Sequence, residues 1–334
     1  MKEESLIFIV SQPRSGSTFL QRLISNHEKV NTTSEHWLML NFANQLKPEL
    51  VSTRFSNSLS NQAFNIYKEK YPELSFGEQM KAFILGLYDP LMKDFEFVID
   101  KTPRYWEIIQ ELAQWFPKSK IIVLQRHPLD VATSMVKTWG ISSLSKLNIY
   151  RRDLLLAPKE LDEFLEAQKE NPNIYGLTYE ELLTDTEGKL KYILDWIGLD
   201  YHPSMLNVDA NNKIKGAFGD PYQNKEHQES MTTNQSFEDS DQFKEFLSGY
   251  ANYLGRDYFD RFKKRALLSV KDTSAFRNFL QLGEQYEEGF FASTDEKLEH
   301  ENRKLRSDLA LMKNSSSYKL GRLLLSPFRL FKRS

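Results

Sequence analysis

The sequence of 334 residues contains no cysteine. Disulfide bonds and thiolate metal sites are therefore excluded, and nothing in the sequence points to an oxidising compartment. The sequence also lacks any apolar run of roughly 18 residues, the length that would predict a membrane-spanning helix. Its first apolar run, residues 6–10, is too short to be the hydrophobic region of a signal peptide. We therefore expect a cytoplasmic protein.

Acidic residues are missing from the end of the chain. Residues 314–334 carry five basic residues and no acidic one, so a net charge of −2 for the whole chain leaves −7 for residues 1–313. The basic residues are interleaved with Leu and Phe, a pattern typical of an amphipathic segment at a membrane interface. We expect peripheral contact with the inner face of the membrane through this tail; a basic helix packed on the acidic body is the alternative. The acidic body argues against nucleic acid as a partner.

The composition is that of a globular protein, with 40% hydrophobic and 27% charged residues. Short apolar runs alternate along the chain with longer helical patterns. This alternation predicts an α/β fold with a central, mainly parallel sheet flanked by helices. Predicted strands occupy 6–10, 95–100, 120–126 and 174–179, and predicted helices occupy 17–25, 104–116, a stretch from Pro128 onward, and 186–199.

The pattern divides the chain into three parts. Residues 1–265 form the predicted α/β domain, with a helical insertion at about 35–93. Residues 266–313 are helical and charged, and they contain a heptad-like series of about two heptads. A homodimer formed through this series and a helix packed on its own domain both remain open. Residues 314–334 form the basic tail. The heptad-like positions are Leu298, Asn302, Leu305, Leu309 and Met312.

The stretch SQPRSGST (11–18) follows the first predicted strand and precedes a helix. Backbone N–H groups in such a turn, together with the helix N-terminus, bind anions. Arg14 offers a planar fork that suits phosphate or sulfate oxygens, and Gly16 lets the backbone approach the ligand. Ser17 stands where the ATP-binding pattern G-x-x-x-x-G-K-[ST] requires lysine, which argues against transfer of a γ-phosphoryl group. A plain turn in which Ser17 caps the helix is the alternative.

A second motif, RHPLDVATS (126–134), places Arg126 at the end of a buried strand and Ser134 on the following helix. With it, the sequence resembles the sulfotransferases that use 3′-phosphoadenosine 5′-phosphosulfate (PAPS). Their loop P-[KR]-[ST]-G-[ST]-[ST] matches PRSGST (13–18), and their motif R-x-P-x-D-x-x-x-S matches 126–134 at every fixed position. The resemblance implies a P-loop-like three-layer fold. It also implies that the first loop binds the 5′-phosphosulfate and that the second motif binds the 3′-phosphate.

Three further stretches resemble the same family over about residues 5–260. IDKTPRYW would place Lys101 near the transferring sulfuryl group, and LTYEELL would place Tyr179 along the nucleotide. IKGAFGDPYQNK would place Lys215 and Gly216 near the 3′-phosphate. Arginine in the first loop indicates the carbohydrate, tyrosylprotein and bacterial branch rather than the cytosolic one. The donor-binding residues implied by the resemblance are Pro13, Arg14, Ser15, Gly16, Ser17, Thr18, Arg126, Ser134, Tyr179, Lys215 and Gly216.

The resemblance implies in-line transfer of a sulfuryl group from PAPS to a hydroxyl or amine, with adenosine 3′,5′-bisphosphate as the product and no metal required. Glu35 aligns with the glutamate that serves as general base in the tyrosylprotein branch, and His36 is the alternative base. Arg14 and Lys101 would stabilise developing charge. A glycan or lipid-linked glycan is the expected acceptor, contacted by residues within 35–93 and 140–170.

Two other functions remain open on the sequence. A P-loop nucleotide kinase would bind ATP and Mg²⁺, but the loop lacks the required lysine. A non-catalytic coiled-coil scaffold would carry a degenerate nucleotide site, but the anion-binding residues of both motifs are present.

Overall fold

The computed structural model describes residues 1–208, Ile214, residues 237–262 and residues 273–290. Its centre is a five-stranded sheet with the order β2-β3-β1-β4-β5, in which every neighbouring pair is parallel. The predicted parallel sheet is thereby confirmed. The strands are β1 (Leu6–Ser11), β2 (Val30–Thr32), β3 (Phe97–Lys101), β4 (Lys120–Gln125) and β5 (Ile174–Thr178).

Helices cover both faces of the sheet and continue beyond it, as the alternating pattern predicts. In the described residues the α-helices are α1 (Ser17–Ser25), α2 (Ala43–Leu46), α3 (Asn57–Lys70), α4 (Phe76–Leu87), α5 (Asp89–Met92), α6 (Ile109–Trp115), α7 (Pro128–Thr138), α8 (Leu144–Leu147), α9 (Arg151–Leu155), α10 (Ala157–Ala167), α11 (Tyr179–Thr184), α12 (Thr186–Ile197), α13 (Asp241–Leu254), α14 (Arg256–Asp260) and α15 (Ser274–Phe290).

The central strand β1 is buried on both faces because its alternate side chains enter two different hydrophobic clusters. Phe8 and Val10 pack in a cluster with residues of α6 and α10. Ile7 and Ile9 pack on the opposite face with residues of α1 and α12. This arrangement is the physical basis of the three-layer fold, and it leaves the carboxyl ends of the strands as the open edge of the sheet.

A third hydrophobic cluster joins the C-terminal helices α13 and α15 to α7 and α8. The hydroxyl of Tyr250 in α13 donates to the carbonyl of Leu154 at 2.6 Å, which ties this layer to α9. The predicted domain boundary at residue 265 falls within 263–272, outside the described residues. The predicted heptads and the tail at 314–334 also lie outside them.

Two local predictions differ from the structure. Strand β2 was not predicted, since its three residues are too few to show an alternating pattern. The predicted helix at 104–116 begins instead as a 3₁₀ segment, Pro103–Ile108, and continues as α6. Residues 35–93 are helical as predicted, and no helix in the described part of the chain is long and apolar enough to cross a membrane.

Candidate active site

The loop between β1 and α1 bends back through two residues with positive φ. Arg14 has φ 72° and Gly16 has φ 90°. Gly16 occupies the N-cap position of α1 and Ser17 is its first residue, so the interpretation of Ser17 as the cap is wrong. Non-glycine residues adopt positive φ rarely, and strain of this kind clusters at functional sites. Among the described residues, the non-glycine residues with positive φ are Arg14, Trp37 and Ser75. Arg14 and Trp37 line one cavity, and Ser75 does not line it.

That cavity lies at the carboxyl ends of the strands and has a volume of about 400 Å³. Parallel α/β sheets bind ligands at this edge. Eight residues of the predicted site line it, and the segments after β2 and β3 and the end of α7 complete the wall. The lining residues are Pro13, Arg14, Gly16, Ser17, Thr18, Phe19, Glu35, Trp37, Pro103, Arg104, Arg126, Trp139 and Tyr179.

One end of the site brings together residues from three separate motifs. Arg126, which follows β4, donates to the backbone carbonyl of Arg14 at 3.0 Å. The Arg14 side chain donates through Nε to Ser134 Oγ in α7 at 3.4 Å. The guanidinium of Arg126 lies 4.8 Å from the centre of the Tyr179 ring, within cation–π range. Two guanidinium groups, a hydroxyl and an aromatic face therefore converge at this end.

The Tyr179 ring also lies against the loop backbone. A Cβ atom added to Gly16 would approach Cδ2 of Tyr179 to 2.4 Å, closer than real contacts allow. Glycine at this position therefore meets a steric requirement as well as a positive φ. Tyr179 is placed by a capping box at the start of α11, in which Thr178 Oγ1 accepts the N–H of Glu181 and the Glu181 side chain accepts the N–H of Thr178.

The other end of the site holds an ion pair between a buried lysine and a partly exposed glutamate. Lys101 Nζ lies 2.6 Å from Glu35 Oε1 and donates to Thr18 Oγ1 at 3.2 Å. The Lys101 side chain is 1% exposed and that of Glu35 is 17% exposed. A carboxylate and an ammonium group thus stand together beside the N-terminus of α1.

Parallel strand pairing explains this contact. Thr32 in β2 pairs with Ile99 in β3, so both strands end at the same edge of the sheet. Glu35 comes three residues after Thr32, and Lys101 is the last residue of β3, so the two side chains lie close together. Buried Gln21 of α1 fixes the segment, since its Nε2 donates to Thr32 Oγ1 at 2.7 Å and to the Thr33 carbonyl at 2.8 Å.

His36, the alternative base, faces away from the cavity lining. Its Nε2 lies 3.8 Å from Oδ1 of Asp100, a residue that is almost completely buried in β3. Asp100 also accepts hydrogen bonds from the hydroxyls of Tyr88 at 2.6 Å and Tyr105 at 2.8 Å. Glu35 lines the cavity and His36 does not, so the geometry favours Glu35 over His36 for contact with a ligand.

Trp37, Arg104 and Trp139 also line the cavity, although they were not predicted from the sequence. Arg104 pairs with Asp153 of α9 at 2.7 Å and lies 5.5 Å from the centre of the Trp37 ring. Burial raises the pKa of Asp153, and the neighbouring Arg104 charge opposes that rise. Arg104 stands three residues after Lys101 in the motif IDKTPRYW, so its position could have indicated that it belongs to the site. Trp37 and Trp139 gave no such indication, because aromatic residues more often lie in a hydrophobic core.

Two predicted residues, Lys215 and Gly216, lie outside the described residues, so their assignment stays a prediction. In the parts of the chain that the structure describes, no group of three or more His, Asp or Glu side chains is arranged to hold a metal ion.

The parallel sheet order and the loop between β1 and α1 define a P-loop-like α/β protein. The chain also matches the model of the sulfotransferase family over residues 6–203, more than half of its length. It therefore belongs to the sulfotransferase family, as the sequence motifs predict.

Individual relatives are distant. Nodulation protein NoeE of Sinorhizobium fredii is 27% identical over 158 residues, which cover 42% of this chain and 33% of that protein. Protein-tyrosine sulfotransferase 2 of Gallus gallus is 24% identical, covering 62% of this chain and 54% of that protein. The chain thus spans a third to about half of the length of these curated relatives.

Among solved structures, the sulfotransferase domain from the Synechococcus PCC 7002 olefin synthase is similar, with a TM-score of 0.47 and 20% identity. The match covers 84% of this chain and 94% of that domain.

Proposed function

We propose that this protein is an enzyme that transfers the sulfuryl group of PAPS to a hydroxyl or amine of an acceptor and releases adenosine 3′,5′-bisphosphate. The observation that carries the proposal is the pair of Glu35 and Lys101, 2.6 Å apart, beside Thr18 at the N-terminus of α1. The pair sets a proton acceptor and a cation beside a helix N-terminus, and both Glu35 and Thr18 line the cavity. Membership of the sulfotransferase family supports sulfuryl transfer as the reaction.

The residues present fit a donor with two anionic groups. Arg126, Ser134 and Tyr179 would hold the 3′-phosphate end, where guanidinium, hydroxyl and ring already converge. The loop 13–18 would hold the 5′-phosphosulfate through its N–H groups and hydroxyls. The buried Oγ of Ser15 in this loop has no hydrogen-bond partner among the described residues.

PAPS, when bound, supplies an activated sulfuryl group with a phosphate oxygen as its leaving group. Glu35 would accept the proton of the acceptor hydroxyl as the oxygen of that hydroxyl bonds to sulfur and the phosphate oxygen leaves. Lys101 already contacts both Thr18 and Glu35, so one ammonium group can balance charge at the donor and orient the carboxylate. Arg14 would contribute positive charge from the loop. The scheme requires no metal.

The proposed acceptor is a carbohydrate or a lipid-linked glycan. Arg14 in the first loop supports the branch that acts on carbohydrates and tyrosylproteins, because the cytosolic branch carries lysine there. Acceptor contacts in such folds come from variable loops beside the site, and Trp37 and Trp139 in the cavity wall come from such segments.

We also propose that the enzyme is cytoplasmic and contacts the inner face of the membrane through residues 314–334. The basic charge and apolar side chains of this tail support contact with anionic lipids. Liposome flotation of the full chain and of a variant lacking the tail tests it. The full chain is expected to float with anionic vesicles, and the shortened chain is expected to remain in the unbound fraction. Equal amounts of both proteins in the vesicle fraction would contradict membrane contact through the tail.

A ligand-specificity measurement tests the proposed function. Adenosine 3′,5′-bisphosphate is expected to raise the melting temperature, whereas ATP with Mg²⁺ is not. Stabilisation by ATP alone would instead support a nucleotide kinase. A donor that binds with no sulfuryl transfer to any acceptor or to water would support the non-catalytic scaffold.

A further inference from the structure

A second cavity opens beside the candidate active site. Its volume is about 670 Å³, within the range of pockets that bind small molecules. Trp37 and Arg104 line both cavities, so the two spaces meet at these side chains. Trp37 is only two residues from Glu35, which places the junction next to the proposed base.

The walls of the second cavity are largely apolar. Leu40, Leu50 and Val51 line it from the helical insertion, and Ile149 lines it from the segment between α8 and α9. Ile149 is 64% exposed, an unusual state for a large aliphatic side chain in a concave surface. Apolar surface of this kind gains free energy when an apolar ligand covers it.

The charged side chains of the wall are largely paired with one another. Arg104 contacts Asp153 at 2.7 Å, and Arg152 donates through Nε to Glu107 at 3.0 Å. Arg151 donates to the Leu280 carbonyl at 3.1 Å. The two ion pairs neutralise four of the five charged side chains in the wall and leave only the charge of Arg151 in excess, so the wall offers little to attract a strongly ionic ligand.

We propose that this second cavity binds the apolar body of the acceptor, and that the acceptor is an amphiphilic alcohol. Its hydroxyl would reach Glu35 past Trp37 and Arg104, while an alkyl chain or aromatic ring attached to it lies against Leu50, Val51 and Ile149. A sugar that carries an alkyl group has both the reacting hydroxyl and the apolar body, whereas a free sugar lacks the apolar body. The inference rests on the proposed function for the identity of the reacting group.

The test measures binding of methyl, butyl and hexyl glucosides, which share one sugar and differ only in apolar length. Titrations by calorimetry are made with and without saturating adenosine 3′,5′-bisphosphate. Burial of a methylene group changes affinity by about fourfold, so Kd is expected to fall by about this factor per methylene.

Ile149→Asp and Leu59→Asp form a matched pair, because both aliphatic side chains are 64% exposed and only Ile149 lines the cavity. Ile149→Asp is expected to abolish the dependence on chain length, and Leu59→Asp is expected to preserve it. Unchanged melting temperatures would show that both variants fold.

The outcomes separate the two proposals. A Kd independent of chain length in the unmodified protein, or an equal effect of both substitutions, overturns the acceptor inference. Failure to bind adenosine 3′,5′-bisphosphate, measured in the same samples, would contradict the proposed function independently. If this nucleotide fails to bind while the chain-length series persists, the cavity is amphiphile-binding but the proposed reaction is wrong.

Discussion

The ammonium group of Lys101 is shared between Glu35 and Thr18, and this sharing has a chemical consequence. By donating a hydrogen bond to Glu35 Oε1, the ammonium group fixes the position of the carboxylate. The same ammonium group lies beside the N-terminus of α1, so its charge adds to the partial positive charge of the helix end. At the scale of single residues, the site is therefore organised around the ion pair of Lys101 and Glu35.

Replacing Glu35 by glutamine is expected to reduce kcat by about 10²–10⁴-fold, the usual contribution of a general base. The affinity for adenosine 3′,5′-bisphosphate should change little, since the proposed nucleotide contacts do not include Glu35. Steady-state kinetics and calorimetry measure the two quantities. His36→Gln is the control, because the neighbouring His36 does not line the cavity. Full activity in Glu35→Gln would remove this residue from the role of base.

Replacing Gly16 by alanine is expected to weaken nucleotide binding more than tenfold, because the new Cβ would displace the Tyr179 ring. Gly198→Ala is a matched control: Gly198 has φ 93°, against 90° for Gly16, but nothing lies within 4 Å of its added Cβ. Both variants should lose about 1 kcal/mol of stability through their positive φ. Equal nucleotide affinity in the two variants would contradict a role for the contact with Tyr179.

At the scale of elements, helix ends position the site. The capping box at the start of α11 places Tyr179, and the turn after α1 returns the chain to β2 and so to Glu35. These short features convert a regular sheet and its helices into a defined arrangement of side chains.

Thr178→Ala is expected to cost about 1 kcal/mol of stability, the usual effect of losing an N-cap hydroxyl. It should also weaken nucleotide binding, since Tyr179 is the first residue of the capped helix. Ser240→Ala removes the equivalent cap of α13, where Ser240 Oγ accepts the N–H of Phe243 at 3.1 Å. Urea denaturation and calorimetry should show similar stability losses, with an effect on binding for Thr178→Ala alone. Equal binding in both variants would refute positioning by the cap.

The turn between α1 and β2 contains a histidine that resists protonation. His27 is buried, and its Nδ1 accepts the N–H of Lys29 at 3.1 Å. Burial lowers the pKa of His27 from its ordinary value of 6.5, and nearby His202 adds to this shift. The unfolded chain therefore takes up a proton more readily, so the free energy of unfolding falls as the pH drops below about 6.5.

The variant His27→Gln is expected to show a shallower fall in stability between about pH 7 and pH 5 than the unmodified protein. Urea denaturation at a series of pH values measures this difference. Parallel curves for the two proteins would show that His27 does not contribute to the acid sensitivity.

At the scale of the whole molecule, the helices near the C-terminus are part of the α/β domain's core. Phe246 of α13 and Phe279 of α15 meet edge to face with ring centroids 5.0 Å apart. Tyr250 of the same layer holds the carbonyl of Leu154, next to Asp153, the partner of Arg104. Packing of α13 and α15 thus supports the junction between the two cavities.

Phe279→Ala is expected to lower the free energy of unfolding by about 3–5 kcal/mol, because it leaves a void in a fully buried cluster. Phe83→Ala is the control, since Phe83 is 57% exposed, and substitutions of exposed residues usually change stability by only about 0.5 kcal/mol. Chemical denaturation measures both. Similar losses in the two variants would contradict a stabilising role for the C-terminal layer.

The sequence predicted those parts of the site that depend on local spacing. Arg14 and Gly16 stand in one loop, and Arg126 and Ser134 stand in one strand-to-helix segment, so each motif is visible within a few residues. By contrast, Arg104 was missed as a cavity residue, although it lies close to Lys101, because its significance comes from Trp37 and Asp153 in distant segments.

By itself, the sequence determined the class of the protein. Apolar periodicity specifies strands and helices, and the loop and strand-end motifs indicate the sulfotransferase family, since both are local properties of the chain. Only the tertiary structure decided that Glu35 meets Lys101, that the apolar cavity adjoins the site, and that α15 completes the core. These contacts join residues far apart in sequence, so they depend on the parallel register of the sheet and on side-chain packing, which local spacing does not encode.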